Sequence, residues 1–190
     1  MGCSSKEKAL ARRFLPPPAT SYFMSLIERL RELRPGAVPG SLFDRVGGRA
    51  TLDKVHKVFY DKIYEHRWLS RYFDGVPQDI IEAAQSDFFC MSMKGGKVFC
   101  GRMPKEAHMH IAVEAELFEI RHQLLIDSLD ECGVKGAEKE GWLKIDMAFR
   151  STILRKKEDC RTMGNRMSTN GAGIVSIPKP SGMGGGRSAA

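Results

Sequence analysis

The sequence predicts an all-α domain, and three observations carry that reading. Apolar residues recur at helical spacing in four long stretches between residues 50 and 155, no stretch alternates apolar with polar residues as a half-buried strand would, and Gly or Pro punctuates the joints. Two of these helices precede His108 and two follow it. Two antiparallel pairs crossing face to face leave a flat apolar slot between them.

The elements follow in order. Leu42-Phe43-Asp44-Arg45-Val46 makes a half-turn stopped by Gly47-Gly48, after which Leu52, Val55, Val58, Phe59 and Ile63 mark the first long helix, with Tyr60 riding on it. Leu69-Ser70-Arg71-Tyr72-Phe73-Asp74-Gly75 forms a tight corner. Asp79 to Met93 is the second long helix, with Ile80, Ile81, Ala84, Phe88 and Phe89 apolar, Gln85 on or near their stripe, and Lys94-Gly95-Gly96-Lys97 as its stop. Beyond Phe99, Met103-Pro104 favours a short helix that carries His108 towards the interior. The third long helix spans Ile111 to Cys132 through Ala115, Phe118, His122, Leu125 and Leu129, with Gly133 ending it. The fourth spans Lys139 to Arg155 through Trp142, Leu143, Ile145, Phe149 and Ile153.

The domain is expected over residues 41–156, and the ends differ from it. Residues 1–19 read as a disordered segment broken by Pro16-Pro17-Pro18. Residues 20–40 hold a short amphipathic helix through Phe23, Ile27, Leu30 and Leu33 and a linker. Residues 157–190 lose apolar periodicity and become rich in Gly, Ser, Asn and Pro, a composition expected to stay disordered.

The formal charge of +7 sits in these ends, because residues 41–156 carry 18 basic and 18 acidic side chains. A basic face built into the fold is the expected nucleic-acid footprint, so nucleic-acid binding is excluded as a reading. No run of about 18 apolar residues is present to span a bilayer. Five cysteines (Cys3, Cys90, Cys100, Cys132 and Cys160), an odd number with no CxxC pair and no secretory signal, predict free thiols and a cytoplasmic location. The start, Met1-Gly2-Cys3-Ser4-Ser5-Lys6, offers Gly2 for myristoylation and Cys3 for a second acyl chain, with Lys6, Lys8, Arg12 and Arg13 behind them. Lys6 stands where the motif favours Ser or Thr, and an unmodified tail is the alternative.

His108 is the candidate metal ligand. A lone histidine is ordinarily a weak metal signal, since sites announce themselves through clusters of ligands. Haem is the exception, because the porphyrin supplies four ring nitrogens and the protein need add one axial ligand inside an apolar pocket.

The series Leu42-Phe43-Asp44-Arg45-Val46-Gly47-Gly48, Phe59-Tyr60, Leu69-Ser70-Arg71-Tyr72-Phe73-Asp74-Gly75, Gln85 with Phe88-Phe89, Gly95-Gly96, Phe99-Cys100-Gly101-Arg102, Ala107-His108 and the Phe118 helix ending Cys132-Gly133-Val134 resembles the truncated haemoglobins, most closely their group I, over about residues 41–155. The resemblance implies a two-over-two α-helical sandwich binding haem b. It implies His108 as the proximal iron ligand, Phe73 packing on the porphyrin, and Tyr60 with Gln85 as the distal pair that donates hydrogen bonds to an iron-bound ligand. Phe59, Ile81, Phe88, Phe89, Phe99, Met103 and Phe118 would wall the pocket, and Arg102 and Lys105 are candidates for pairing with the haem propionates. Reversible oxygen binding at ferrous iron follows, used for oxygen storage or transport, or for converting nitric oxide to nitrate with a separate reductase restoring the iron. A membrane-anchored haem-based sensor or interaction module without turnover is the alternative.

This chain departs from the family pattern in places. Leu117 stands where many relatives have a histidine, Gly101-Arg102-Met103-Pro104 reorders the usual Gly-Arg-x-Met, and Ala84 excludes a lysine closing the sixth site from that position. His110 is the alternative ligand. His56, His66 and His122 read as surface or helix-face histidines.

Overall fold

The structure, a computed structural model, describes residues 40–161 and 173–182. The expectations for Gly2, Cys3 and the helix at 20–40 lie outside the described residues. Ser41 caps α1 (Leu42–Arg45), its hydroxyl accepting from the Asp44 amide at 3.3 Å. Gly47 and Gly48 then take φ of 97° and 68°, a left-handed turn that side chains other than glycine rarely adopt. They reverse the chain into α2 (Gly48–Glu65). Its inward stripe is Leu52, Val55, His56, Phe59, Tyr60 and Ile63, and it packs against both α3 (Gln78–Ser92) and α5 (Ala115–Glu131). Between α2 and α3 the corner forms a 3-10 turn, Leu69–Tyr72. Pro104 starts the one-turn helix α4 (Pro104–Ala107), and His108 closes it.

Helices dominate as expected, but the third and fourth differ at their ends. The third begins at Ala115, four residues later than periodicity suggests, because Ile111 to Val113 is extended. β-Branched Ile111 and Val113 favour that backbone, and each makes a single β-bridge: Ile111 parallel to Val175, Val113 antiparallel to Arg155. The fourth is broken at Phe149 into α6 (Gly136–Ala148) and the single turn α7 (Arg150–Ile153). The break turns the Phe149 ring onto Phe88, with centroids 5.3 Å apart.

The expected disorder from residue 157 onwards is corrected by the described parts of that tail. Cys160 is buried, and the Arg161 amide donates to the Met109 carbonyl at 2.8 Å. Residues 173–182 lie as a strap along the domain. The Ala112 amide donates to the Val175 carbonyl and the Val175 amide to the His110 carbonyl, at 2.8 and 2.9 Å. The Ile177 carbonyl accepts from the Trp68 indole and the Tyr72 hydroxyl at 2.9 and 3.1 Å. The strap is held chiefly by backbone polar groups, which a reading of side-chain composition does not weigh.

Of the two readings of His56, surface or helix face, the surface one is corrected. It is fully buried on the inward stripe of α2, its Nδ1 2.9 Å from the Ser86 hydroxyl and its ring against Phe89 and Trp142. His66 faces its own turn, Nδ1 accepting from the Trp68 and Leu69 amides at 3.2 and 3.1 Å. The four described cysteines are free thiols.

Two outcomes follow from this packing. Burial, with the charges of Arg121 and Arg49 adding to it, pushes His56 down to about 3, whereas the unfolded chain protonates it near its ordinary 6.5. Its stabilising contribution is therefore complete above pH 6.5 and is lost as pH falls from there towards 3. Urea unfolding at pH 7 and pH 5 should show a loss about 2 kcal/mol larger in the wild type than in a His56→Gln variant. Trp68→Phe removes one of two donors to the Ile177 carbonyl; it should cost about 1 kcal/mol in the same assay and speed proteolysis within residues 173–182.

Candidate ligand-binding cavity

The hollow between the helices has a volume of about 720 Å³, within the range of small-molecule sites. Helix α2 presents Phe59, Tyr60 and Ile63 to it, the corner adds Tyr72 and Phe73, and α3 adds Ile81, Gln85, Phe88 and Phe89. Phe99 and Gly101 approach from the loop before α4. His108 enters at the end of α4, and Leu117, Phe118 and Arg121 close the wall from α5.

The geometry of His108 decides what this hollow is suited to hold. The single turn of α4 returns the His108 amide to the Pro104 carbonyl at 3.2 Å, and Nδ1 meets that same carbonyl at 2.7 Å. A carbonyl can only accept, so Nδ1 carries the proton and Nε2 keeps its lone pair. Burial lowers the imidazole pKa, with the Pro104 carbonyl opposing, and the ring is held neutral. The His108 carbonyl is itself fixed by Arg155 Nη1 at 3.2 Å. A neutral, oriented imidazole bordering an apolar chamber satisfies what haem needs from a protein, so the residues fit that group.

Tyr60 and Gln85 bring to the same cavity polar groups that can donate hydrogen bonds. Tyr60 is 5% exposed, its ring set edge-on to Phe73 with centroids 5.9 Å apart. Burial pushes its pKa up, so it stays protonated. Neither its hydroxyl nor the Gln85 carboxamide has a hydrogen-bond partner among the described residues, and both border the cavity.

The profile of the bacterial-like globins matches residues 41–154. The chain belongs to that family. Among curated proteins, a group 1 truncated hemoglobin from Mycolicibacterium paratuberculosis is 28% identical over 111 residues, covering 58% of this chain and 79% of the relative. One from Tetrahymena pyriformis is 24% identical, covering 62% of this chain and 98% of its own length. Among solved structures, the 2/2 hemoglobin of Synechococcus, described with covalently attached heme, superposes with a TM-score of 0.57 at 23% identity, covering 60% of this chain and 98% of that one. The group II truncated hemoglobin of Bacillus anthracis gives 0.58 at 17% identity, covering 63% and 94%. Likenesses of that degree show the fold, the two-over-two helical sandwich. Both sequence relatives are group 1 truncated hemoglobins, the group that the motif series resembles.

In this globin the structure gathers Phe59, Tyr60, Phe73, Ile81, Gln85, Phe88, Phe89, Phe99, His108 and Phe118 around one cavity. Met103 is the exception. As the N-cap of α4 it points outwards, 41% exposed, and does not line the wall. His110 also borders the cavity, but its buried Nδ1 has no hydrogen-bond partner among the described residues to fix the ring, in contrast to His108. Arg102 lies at the cavity edge; Lys105 is exposed and outside it.

Sequence reasoning missed a charged group in the wall. Arg121 ion-pairs with Asp146, which is 6% exposed and also accepts from His122 Nδ1 at 2.8 Å. The Arg121 guanidinium lies over the Phe59 ring, 4.9 Å from its centroid. The available signal was positional: Arg121 follows Phe118 by one turn on the inward stripe of α5, and Asp146 interrupts the apolar run of α6.

Around Phe88 the rings of Phe89, Phe99 and Phe149 sit 5.3 to 5.6 Å away, centroid to centroid, an aromatic cluster that keeps the wall in place. A Cβ on Gly101 would stand 2.3 to 3.0 Å from atoms of the Phe99 ring. Gly101→Ala should therefore push Phe99 off Phe88 and cost about 1–3 kcal/mol in chemical unfolding, whereas the same change at open Gly133 acts through backbone strain alone.

Proposed function

We propose that this globin holds haem b through His108 Nε2 and binds oxygen reversibly at the ferrous iron, and that with an external reductase it carries out nitric oxide dioxygenation. Oxygen storage or delivery would use the same residues. The observation that carries the reading is the His108 geometry: Nδ1 is tied to the Pro104 carbonyl, and the ring borders a cavity that also holds Tyr60 and Gln85.

Haem held by His108 would supply the binding of a diatomic ligand and the accompanying electron chemistry. The protein's part follows from its own groups. The Pro104 carbonyl fixes the His108 tautomer and makes Nε2 a stronger donor to a metal. The Tyr60 hydroxyl keeps its proton and, with the Gln85 amide, offers hydrogen bonds to a ligand that gathers negative charge; carbon monoxide gathers little and gains less. Ile81, Phe88 and Phe89 exclude water from that side, which strengthens each of those bonds. Arg102 at the edge suits a carboxylate.

A second reading rests on the N-terminal residues: acylation of Gly2 and Cys3, beside Lys6, Lys8, Arg12 and Arg13, would tether the globin to a membrane as a sensor. Among the described residues no helix is long and apolar enough to cross one. A shift of the protein from membrane to soluble fractions in a Gly2→Ala variant is the expected result; identical partition rejects the tether.

For haem, titration of the purified chain with haemin should reach one equivalent. The reduced product should give a stable oxygen spectrum that His108→Ala abolishes and His110→Ala retains. Tyr60→Phe and Gln85→Leu should each raise the oxygen dissociation rate at least about tenfold while changing carbon monoxide release much less, each lost charge-assisted hydrogen bond amounting to about 1.5–3 kcal/mol. Wild-type protein that takes up no haem sinks the reading.

A further inference from the structure

We propose that Arg121 is a specificity-determining residue of this cavity, a fixed cationic donor that favours small anions, such as azide, cyanide or nitrite, over carbon monoxide, a ligand that gathers little charge. The inference rests on the haem reading above and deepens it.

Arg121 borders the same cavity as Tyr60, Gln85 and His108, on the inward face of α5. Two contacts fix its orientation: the stack on Phe59 at 4.9 Å and the ion pair from Nη1 to Asp146. A guanidinium has five N–H donors, and no other acceptor meets those of Arg121 among the described residues. Asp146 also touches the cavity, but its two oxygens are taken, one by Arg121 and the other by His122 Nδ1 at 2.8 Å. The carboxylate side chain is 6% exposed against 21% for the arginine. Of the pair, the arginine is therefore the more accessible partner and the one that keeps donors to offer. Burial alone would raise Asp146, yet Arg121 and His122 hold it below the usual carboxylate range, so the carboxylate stays ionised.

An anion in this low-dielectric hollow gains both the charge and the donors of Arg121, whereas carbon monoxide, which gathers little charge, gains little from either. A residue that merely clamped α5 to α6 would affect both ligand classes alike. Asp146 supplies the sign: neutralising it without changing its shape leaves the cation uncompensated.

The test uses the full chain loaded with haemin, after uptake has been confirmed by stoichiometry. Ferric azide and cyanide affinities and ferrous carbon monoxide affinity are measured in the wild type, Arg121→Met, Arg121→Lys and Asp146→Asn. Arg121→Met should weaken azide and cyanide about tenfold or more with carbon monoxide nearly unchanged, and Arg121→Lys should restore part of that loss. Asp146→Asn should tighten both anions, an outcome that misfolding cannot imitate. If azide and carbon monoxide affinities move together across the series, or Asp146→Asn weakens the anions, the inference is overturned while the haem reading stands. A chain without haem overturns both.

Discussion

Helix α2 carries two kinds of interior on one stripe, and that division organises the molecule. At its start Leu52, Val55 and His56 are fully buried in a packed region with Phe89 and Trp142. One to two turns on, Phe59, Tyr60 and Ile63 border an open hollow. Atoms that line a hollow lack partners on one side and forgo dispersion energy, so the packed end must hold the helices in register for the hollow end. A cofactor filling the hollow restores those contacts and stabilises the fold by mass action.

Each of those two interiors holds a cluster of polar groups. His56 with Ser86 lies in the packed part, and Arg121 with Asp146 and His122 lies at the cavity wall. Each is costly to bury, and each is partly or wholly satisfied by a neighbour on another helix. Such pairs tie α2 to α3 and α5 to α6 at chosen heights, and they specify one arrangement of helices that apolar packing alone would leave adjustable.

Much of this was legible in the chain. The stripes of α2, α3 and α5 appear as helical periodicity, and Pro104 four residues before His108 is already the donor–acceptor pairing of a single turn. The shared cavity of Tyr60, Gln85, Phe73 and His108 was legible through the resemblance, since their separation in sequence hides their proximity. What escaped was set by tertiary contacts. Ile111 to Val113 satisfies helical spacing as well as it satisfies an extended bridge, and only the partners at Val175 and Arg155 decide between them. Met103 is apolar and adjacent to the site, yet its position as a helix cap turns it outwards. His56 and Arg121 are polar residues on inward faces, and their partners lie 30 and 25 residues away.

The strap of residues 173–182 also bears on the order of folding. The bond from the Trp68 indole to the Ile177 carbonyl closes a loop of 109 residues, whereas α2, α3 and the turn between them are contiguous in the chain. Contacts that distant form late, after the entropy of bringing the ends together has been offset by nearer ones. The strap therefore docks on a framework already assembled, touching the His110 loop on one side of the hollow and the Tyr72 corner on the other. Interactions absent from the folding transition state slow unfolding without hastening folding. The strap thus lengthens the lifetime of the closed globin and leaves its route of assembly unchanged.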